Sequence, residues 1–412
     1  MGADSEEESE PRLSLDYFER LDRIVRLHQE WRTRECLNLI PSENHGSPQM
    51  RAMFLADLGN RYNAPDKFYR GTKYADELLS MTEELARKAF GARYADVRAL
   101  SGHTADMAVL LALTEPGDKI LSVHPDNGGY PGITHLGLGS LLRLENLYFR
   151  YDERTVNIEP RESAALIKAK QPKVVFFGAS FLPFPHPAKQ LSAVADGECV
   201  YDGSHVLGLI AGGEFQDPLR EGCSLLIGST HKSLPGPQGG IIVSNNEEAF
   251  KKVAGKIHPG IVDNIHLDRV AALAVALIEM IQFGRQYAQA VVKNSQALAR
   301  ALAGEGVKLR GSTVGYTKSH QVLLDYEPTK LQALSARLEQ ANIIGDNGGR
   351  LGTSELTRMG YGPAEMETVA ELLAMVILGK KPADFVQKRV RTLVRQFQQP
   401  RFVLQSVPKP FG

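Results

Sequence analysis

The chain has 412 residues, 43% of them hydrophobic and 23% charged, with 38 Gly and 22 Pro, an ordinary mix for a globular protein with two or three packed regions. Its 48 basic and 48 acidic residues cancel, which removes the general electrostatic case for a nucleic-acid partner. Three unevenly spaced cysteines, Cys36, Cys199 and Cys223, exclude a disulfide framework and a zinc cluster, so no metal is expected.

Residues 1–13 carry Asp4, Glu6, Glu7, Glu8 and Glu10, the reverse of a signal peptide's basic start, and read as a disordered acidic arm. An N-terminal helical segment, 14–55, follows. In it Tyr17, Leu21, Ile24, Val25 and Leu27 repeat at helical spacing as far as about Arg34, and Leu37–Ile40 form a short extended piece stopped by Pro41. Helices are predicted over Asp76–Phe90 and after Ser101-Gly102-His103. Short apolar runs then recur at Lys119–Val123, Val174–Phe177, Cys199–Tyr201, Leu225–Ile227 and Gly240–Val243. Such runs need not alternate when both faces are buried, so they predict central strands of a parallel sheet in a large α/β domain over 56–303. A long helix, Leu267 to Ala303, leads to a small α+β domain over 304–412. Strands are predicted there at Val307–Leu309 and Gln321–Asp325, and helices at Pro363–Ile377 and Ala383–Arg395. The most apolar stretch, Val270–Ile281, is too short to span a bilayer and contains Glu279, so a cytoplasmic protein with no membrane partner is expected.

Three strands end in reactive residues: Gly178-Ala179-Ser180, Asp202-Gly203-Ser204-His205 and Ser229-Thr230-His231-Lys232. Ligands of open α/β sheets bind at such ends. A lysine to form an imine, an acid to keep a pyridine nitrogen protonated, and a helix N-terminus for a phosphate together describe a site for pyridoxal 5'-phosphate. Lys232 suits the first role and Asp202 the second. His205 is placed near the ring, and Ser101-Gly102-His103-Thr104 is a candidate phosphate cup, although Ser-Gly before a helix is also an everyday N-cap.

Together these segments resemble the serine hydroxymethyltransferase family, especially its archaeal branch, from about Leu39 to Leu373. The resemblance rests on Leu39-Ile40-Pro41-Ser42-Glu43-Asn44, on Tyr201 through Gly212, on Thr230-His231-Lys232 with Gly236-Pro237-Gln238-Gly239-Gly240, and on Arg350-Leu351-Gly352-Thr353. It implies the fold-type I, aspartate aminotransferase-like architecture and pyridoxal phosphate as cofactor. Lys232 then matches the cofactor-bonding lysine, Asp202 the ring-nitrogen aspartate, His205 the histidine beside the ring, and Ser180 a serine near the ring hydroxyl. Ser101 and Gly102 match the phosphate cup, with His103 in place of a serine. Arg350 matches the arginine that binds the carboxylate of a small α-amino acid, and Ser42 and Glu43 border the site. Tyr62, Tyr69 and Gly260 match groups that a neighbouring subunit contributes, which implies a homodimer with shared sites.

Two departures fall at the reacting face. The family's Tyr-Ala-Glu, whose glutamate serves folate-dependent transfer, is replaced by Tyr62-Asn63-Ala64-Pro65-Asp66, about three residues shorter before Tyr69. The ring-stacking histidine of Gly-Gly-His is replaced by Tyr130, which can stack but does not titrate near neutral pH. With Lys232, His205, Tyr130 and Tyr69 as the reacting groups, the expectation is chemistry at Cα of a glycine-type or β-hydroxy-α-amino acid through an external aldimine and quinonoid. Folate-independent aldol or transaldol chemistry in a specialised pathway leads. An O2-dependent monooxygenase-decarboxylase of nucleoside-antibiotic type is the alternative, and ordinary hydroxymethyl transfer comes third.

Overall fold

Segments apolar at every position, such as Val174–Phe177, have no face to offer water and settle as strands covered on both sides. The structure is a computed structural model that describes residues 10–64 and 68–406. Helix α1 (Glu10–Glu30) leads to a two-residue strand β1 (Leu37–Asn38), helix α2 (Lys73–Phe90), strand β2 (Tyr94–Asp96) and helix α3 (Gly102–Leu113). Strands β3 (Lys119–Ser122), β4 (Glu145–Tyr148), β5 (Val174–Phe177), β6 (Glu198–Asp202), β7 (Leu225–Ser229) and β8 (Gly240–Ser244) follow. Among the described residues the main sheet has seven strands in the order β2-β8-β7-β6-β5-β3-β4. Only β8 runs against its neighbours, β2 and β7. The register sets Tyr201 beside Phe177 and Asp202 beside Ile227, so the ends of β5, β6 and β7 lie side by side.

Helix α4 (Leu267–Gly304) has 38 residues and is about 57 Å long at the usual rise. Leu273, Leu277 and Val291 pack into the core on one sheet face, while Leu298 and Leu302 belong to a second core. That second core gathers β9 (Gln321–Leu323), α5 (Pro328–Gln340), β10 (Ile343–Ile344), β11 (Arg350–Gly352), α6 (Pro363–Ile377) and α7 (Ala383–Val394). Leu331, Leu334 and Leu338 of α5, and Val386, Val390 and Val394 of α7, supply its helical stripes.

Several expectations change. Residues 1–9 of the acidic arm lie outside the described residues, and α1 already begins at Glu10. Its apolar stripe is exposed, with Phe18 at 67% and Leu21 at 57%, so it meets no core among the described residues. The segment 14–55 is no separate unit: β1 pairs with β10, which draws Leu37 and Leu39 into the C-terminal core. The strand expected at Val307–Leu309 reduces to one bridge, Leu309 with Leu324. Among the described residues no helix is long and apolar enough to cross a membrane.

Candidate active site

A cavity of about 230 Å³ lies between the N-terminus of α3 and the ends of β5, β6 and β7. That is smaller than the roughly 300 Å³ at which pockets for drug-sized ligands begin. It brings together Lys232, Asp202, His205, Ser180, Ser101, Gly102, His103 and Tyr130.

Each is fixed by local chemistry. Ser101 caps α3: its hydroxyl accepts the Thr104 N–H at 3.1 Å, and the Thr104 hydroxyl accepts the Ser101 N–H at 2.9 Å. This capping box leaves the helix's positive end facing the cavity. A Cβ on Gly102 would sit 2.9 Å from the Ser204 hydroxyl and press on that of Ser229, so only glycine lets α3 dock on the strand ends. Gly178 has φ +99°, and a Cβ there would run into the Asp202 carbonyl. Asp202 accepts the Ser204 N–H at 2.9 Å, and the Ser204 hydroxyl accepts the Ser229 N–H at 2.8 Å, which ties β6 to β7.

Lys232 sits on a loop closed by Thr230, whose N–H donates to Gly239 (3.0 Å) and whose hydroxyl donates to Pro237 (2.7 Å). Asn44 clamps the same loop, donating from Nδ2 to the Lys232 carbonyl at 2.8 Å. Burial above all, and Arg350 as well, push the Lys232 amine below its usual pKa, against Asp202 and Asp106.

Gln321 joins the site to the second core. Its Oε1 accepts the Leu182 N–H at 2.8 Å, which sets the amide so that Nε2 donates to the Ser180 carbonyl and to His205 Nδ1, both at 3.0 Å. His205 therefore carries its proton on Nε2. Burial, then Lys232, hold the ring well below the normal histidine pKa, so it is neutral. His320 stacks on it at 5.8 Å. Arg350 on β11 donates from Nε to Asp346 and from Nη1 to the Ser180 carbonyl, each at 2.8 Å, and lies 4.8 Å over the Phe181 ring. Its remaining nitrogen, Nη2, carries two further hydrogens. The Tyr130 hydroxyl is 3.1 Å from His103 Nδ1, and burial, helped by Asp106 and Asp202, pushes it up to about 12.

Other expected residues stand apart. Ser42 and Glu43 line a neighbouring cleft, where Arg32 and Asn38 hold the Glu43 carboxylate at 2.6 and 2.7 Å. Tyr62 and Tyr69 face each other, ring centres 5.1 Å apart, outside the cavity lining. Gly260 is exposed on the turn Ile257–Ile261. Asp66 lies outside the described residues. Sequence reasoning passed over Asn44, Asp106, Gln321 and Asp346. For Asp106 a signal existed, a lone carboxylate in an otherwise apolar helix; Gln321 becomes legible only when distant segments meet, and Asp346 only through the turn that brings it to Arg350.

Residues 18–373 match the family model described as serine hydroxymethyltransferase. The chain belongs to the serine hydroxymethyltransferase family. It is 41% identical to the serine hydroxymethyltransferase of Methanopyrus kandleri over 92% of this chain and 94% of that protein. Identity to that of Sulfolobus acidocaldarius is 38%, over 95% of each. Among solved structures, an L-threonine transaldolase from Pseudomonas fluorescens superimposes with a TM-score of 0.89 over 95% of each chain at 24% identity, a likeness of fold. As a family member the chain is a pyridoxal-phosphate enzyme with the fold-type I architecture. Its cavity fits that group: a buried lysine of lowered pKa, a helix N-terminus, and two Asp106 oxygens that lack a hydrogen-bond partner among the described residues.

Proposed function

We propose that this chain makes or breaks the Cα–Cβ bond of a glycine-type or β-hydroxy-α-amino acid, by aldol or transaldol chemistry without folate, in a specialised biosynthetic pathway. The segment after Tyr62 carries this reading. Asn63 is 2% exposed and turned inward, its N–H on Asn264 at 3.3 Å, and Ala64 beside it has no carboxylate to offer a folate. The Tyr130–His103 pair adds to it, since a hydroxyl held neutral stands where the family has a titrating ring.

The cofactor, when bound, supplies an electron sink for the pair left at Cα. Lys232, whose burial favours the neutral amine, would be the amine that bonds it and the base that carries a proton at Cα. Asp202 would hold the proton of the ring nitrogen, and the first-turn amides of α3 with Ser101, Gly102 and His103 would hold the phosphate. Tyr130 would cover one ring face, and Ser180 would lie near the ring hydroxyl. His205 offers Nε2–H as a fixed donor, and Arg350 presents Nη2 to the substrate carboxylate. Ser42 and Glu43 would border the substrate through the Asn44 clamp. Tyr62, Tyr69 and Gly260 lie outside this chain's cavity, which suits service to the site of a second copy in a cytoplasmic homodimer.

Ordinary hydroxymethyl transfer is the second reading, favoured by relatives of that name at up to 41% identity. Purified protein given threonine under argon should release acetaldehyde with no pterin present. Serine cleavage that depends on tetrahydrofolate, with no aldol activity, overturns the proposal. Oxygen uptake matched by CO2 release from a β-hydroxy amino acid moves it to oxidative decarboxylation. The lysine has its own check: borohydride should fix cofactor mass onto Lys232, and Lys232→Ala should lose it.

A further inference from the structure

Asp106 follows Gly102 by four residues and so shares its face of α3. From Ala105 to Leu113 it is the one charged side chain. It is 1% exposed, it lines the cavity, and neither carboxyl oxygen has a hydrogen-bond partner. Buried carboxyls normally find donors, so two unmet oxygens at a cavity wall mark a group that completes its contacts only when the cavity fills.

The charge state follows from the surroundings. Asp202 at the end of β6 faces the same cavity and repels a second negative charge; Lys232 on the loop after β7 opposes that repulsion but is itself pushed toward neutrality. Tyr130, His103, His205 and His231 line the remaining walls. Burial above all, then Asp202, raise Asp106 well above the ordinary carboxylate range.

We propose that Asp106 is a second acid of the cofactor cavity: a protonated carboxyl that donates its hydrogen bond to the Asp202 carboxylate in the holoenzyme and so weakens the hold of Asp202 on the ring-nitrogen proton. This rests on the reading that the cavity seats pyridoxal phosphate with its ring nitrogen on Asp202. Asp106 acts through Asp202 and is a positioning residue. Its effect is to moderate the electron sink, a tuning that the Lys232–Asp202 pair alone does not contain.

The test uses infrared difference spectra of the apoprotein, and 15N NMR of holoenzyme rebuilt with ring-15N cofactor. The apoprotein should show a protonated-carboxyl band that Asp106→Asn removes. Asp106→Ala should raise the pH at which the ring nitrogen loses its proton by about one unit, tenfold in proton affinity. Asp106→Asn, which still donates through an N–H and keeps the shape, should shift it less in the same direction, and it carries the test if the alanine variant does not fold. A missing carboxyl band, an unchanged 15N titration or a shift to lower pH each overturns the proposal. Absence of the borohydride-fixed Lys232 adduct in the unmutated protein is the separate failure of the cofactor reading.

Discussion

Arg350 owes its aim to Asp346, which accepts the guanidinium Nε on one oxygen and the Gly348 and Arg350 amides on the other. Asp346→Asn keeps an acceptor for the turn but removes the charged partner of Nε. The expected result is a KM for the amino acid raised roughly tenfold, the scale of one hydrogen bond to a charged group, with kcat much less affected. Steady-state kinetics with threonine and glycine decide it; an equal loss in kcat would mean that Asp346 acts on the bond-breaking step. Lys232, Asp202 and His205 were legible because Asp202 ends an apolar strand and the other two follow such an end by three residues, and a strand end is visible in one window of sequence. Gln321 was not, because its contacts reach back 141 residues to Ser180 and 116 to His205, and Asp346, only four positions before Arg350, has its role set by the turn that folds it onto that side chain.

The strands follow the same logic. Val174–Phe177 and Leu225–Ser229 are buried at every position, so their hydrophobic runs marked them with little error. Glu145–Tyr148 at the sheet edge has one exposed and three half-buried residues, and β10 has two residues, so no run announces them, whereas β1 falls within the extended piece expected at Leu37–Ile40. The α1 stripe had the right period but gave no indication of which surface, if any, it meets. Between the strands, Gly178 matters most: with φ +99° and the Asp202 carbonyl where a Cβ would stand, it lets the β5 turn pass the end of β6. Gly178→Ala should destabilise the protein by more than about 1 kcal/mol and weaken cofactor retention, read together by thermal melts and cofactor titration. A variant with unchanged melting and retention would show that the turn relaxes freely.

At the scale of the molecule, the two cores are joined by buried charge. Glu279 in α4 pairs with Arg358, each side chain 1% exposed, and Arg358 also donates from Nη1 to the Phe402 carbonyl at 2.6 Å. Arg358→Met strands the Glu279 carboxylate and should cost about 3–5 kcal/mol, measured by urea unfolding; the double change with Glu279→Leu should recover much of it. Glu355 gives a pH signature. Burial above all raises it from 4.5 to about 7, with Glu43 adding and the Asn38 amide and Arg32 opposing. The folded state therefore holds this proton more tightly than the unfolded one, and that stabilising contribution is full below pH 4.5 and fades as pH rises toward 7. Glu355→Gln should melt a few degrees higher than the parent at pH 8 and about the same at pH 4.5. A gain confined to acid pH would reverse the assignment.

The pairing of Leu37 with Ile343 has a consequence for how the protein is made. A ribosome adding about 5–20 residues per second needs roughly 15–60 s to travel from one partner to the other. For that interval Leu37 and Leu39 leave the exit tunnel with nowhere to dock, although the main sheet can already assemble. The segment around Leu37 is thus made long before the strand that seats it, and a nascent-chain chaperone would find its binding window there.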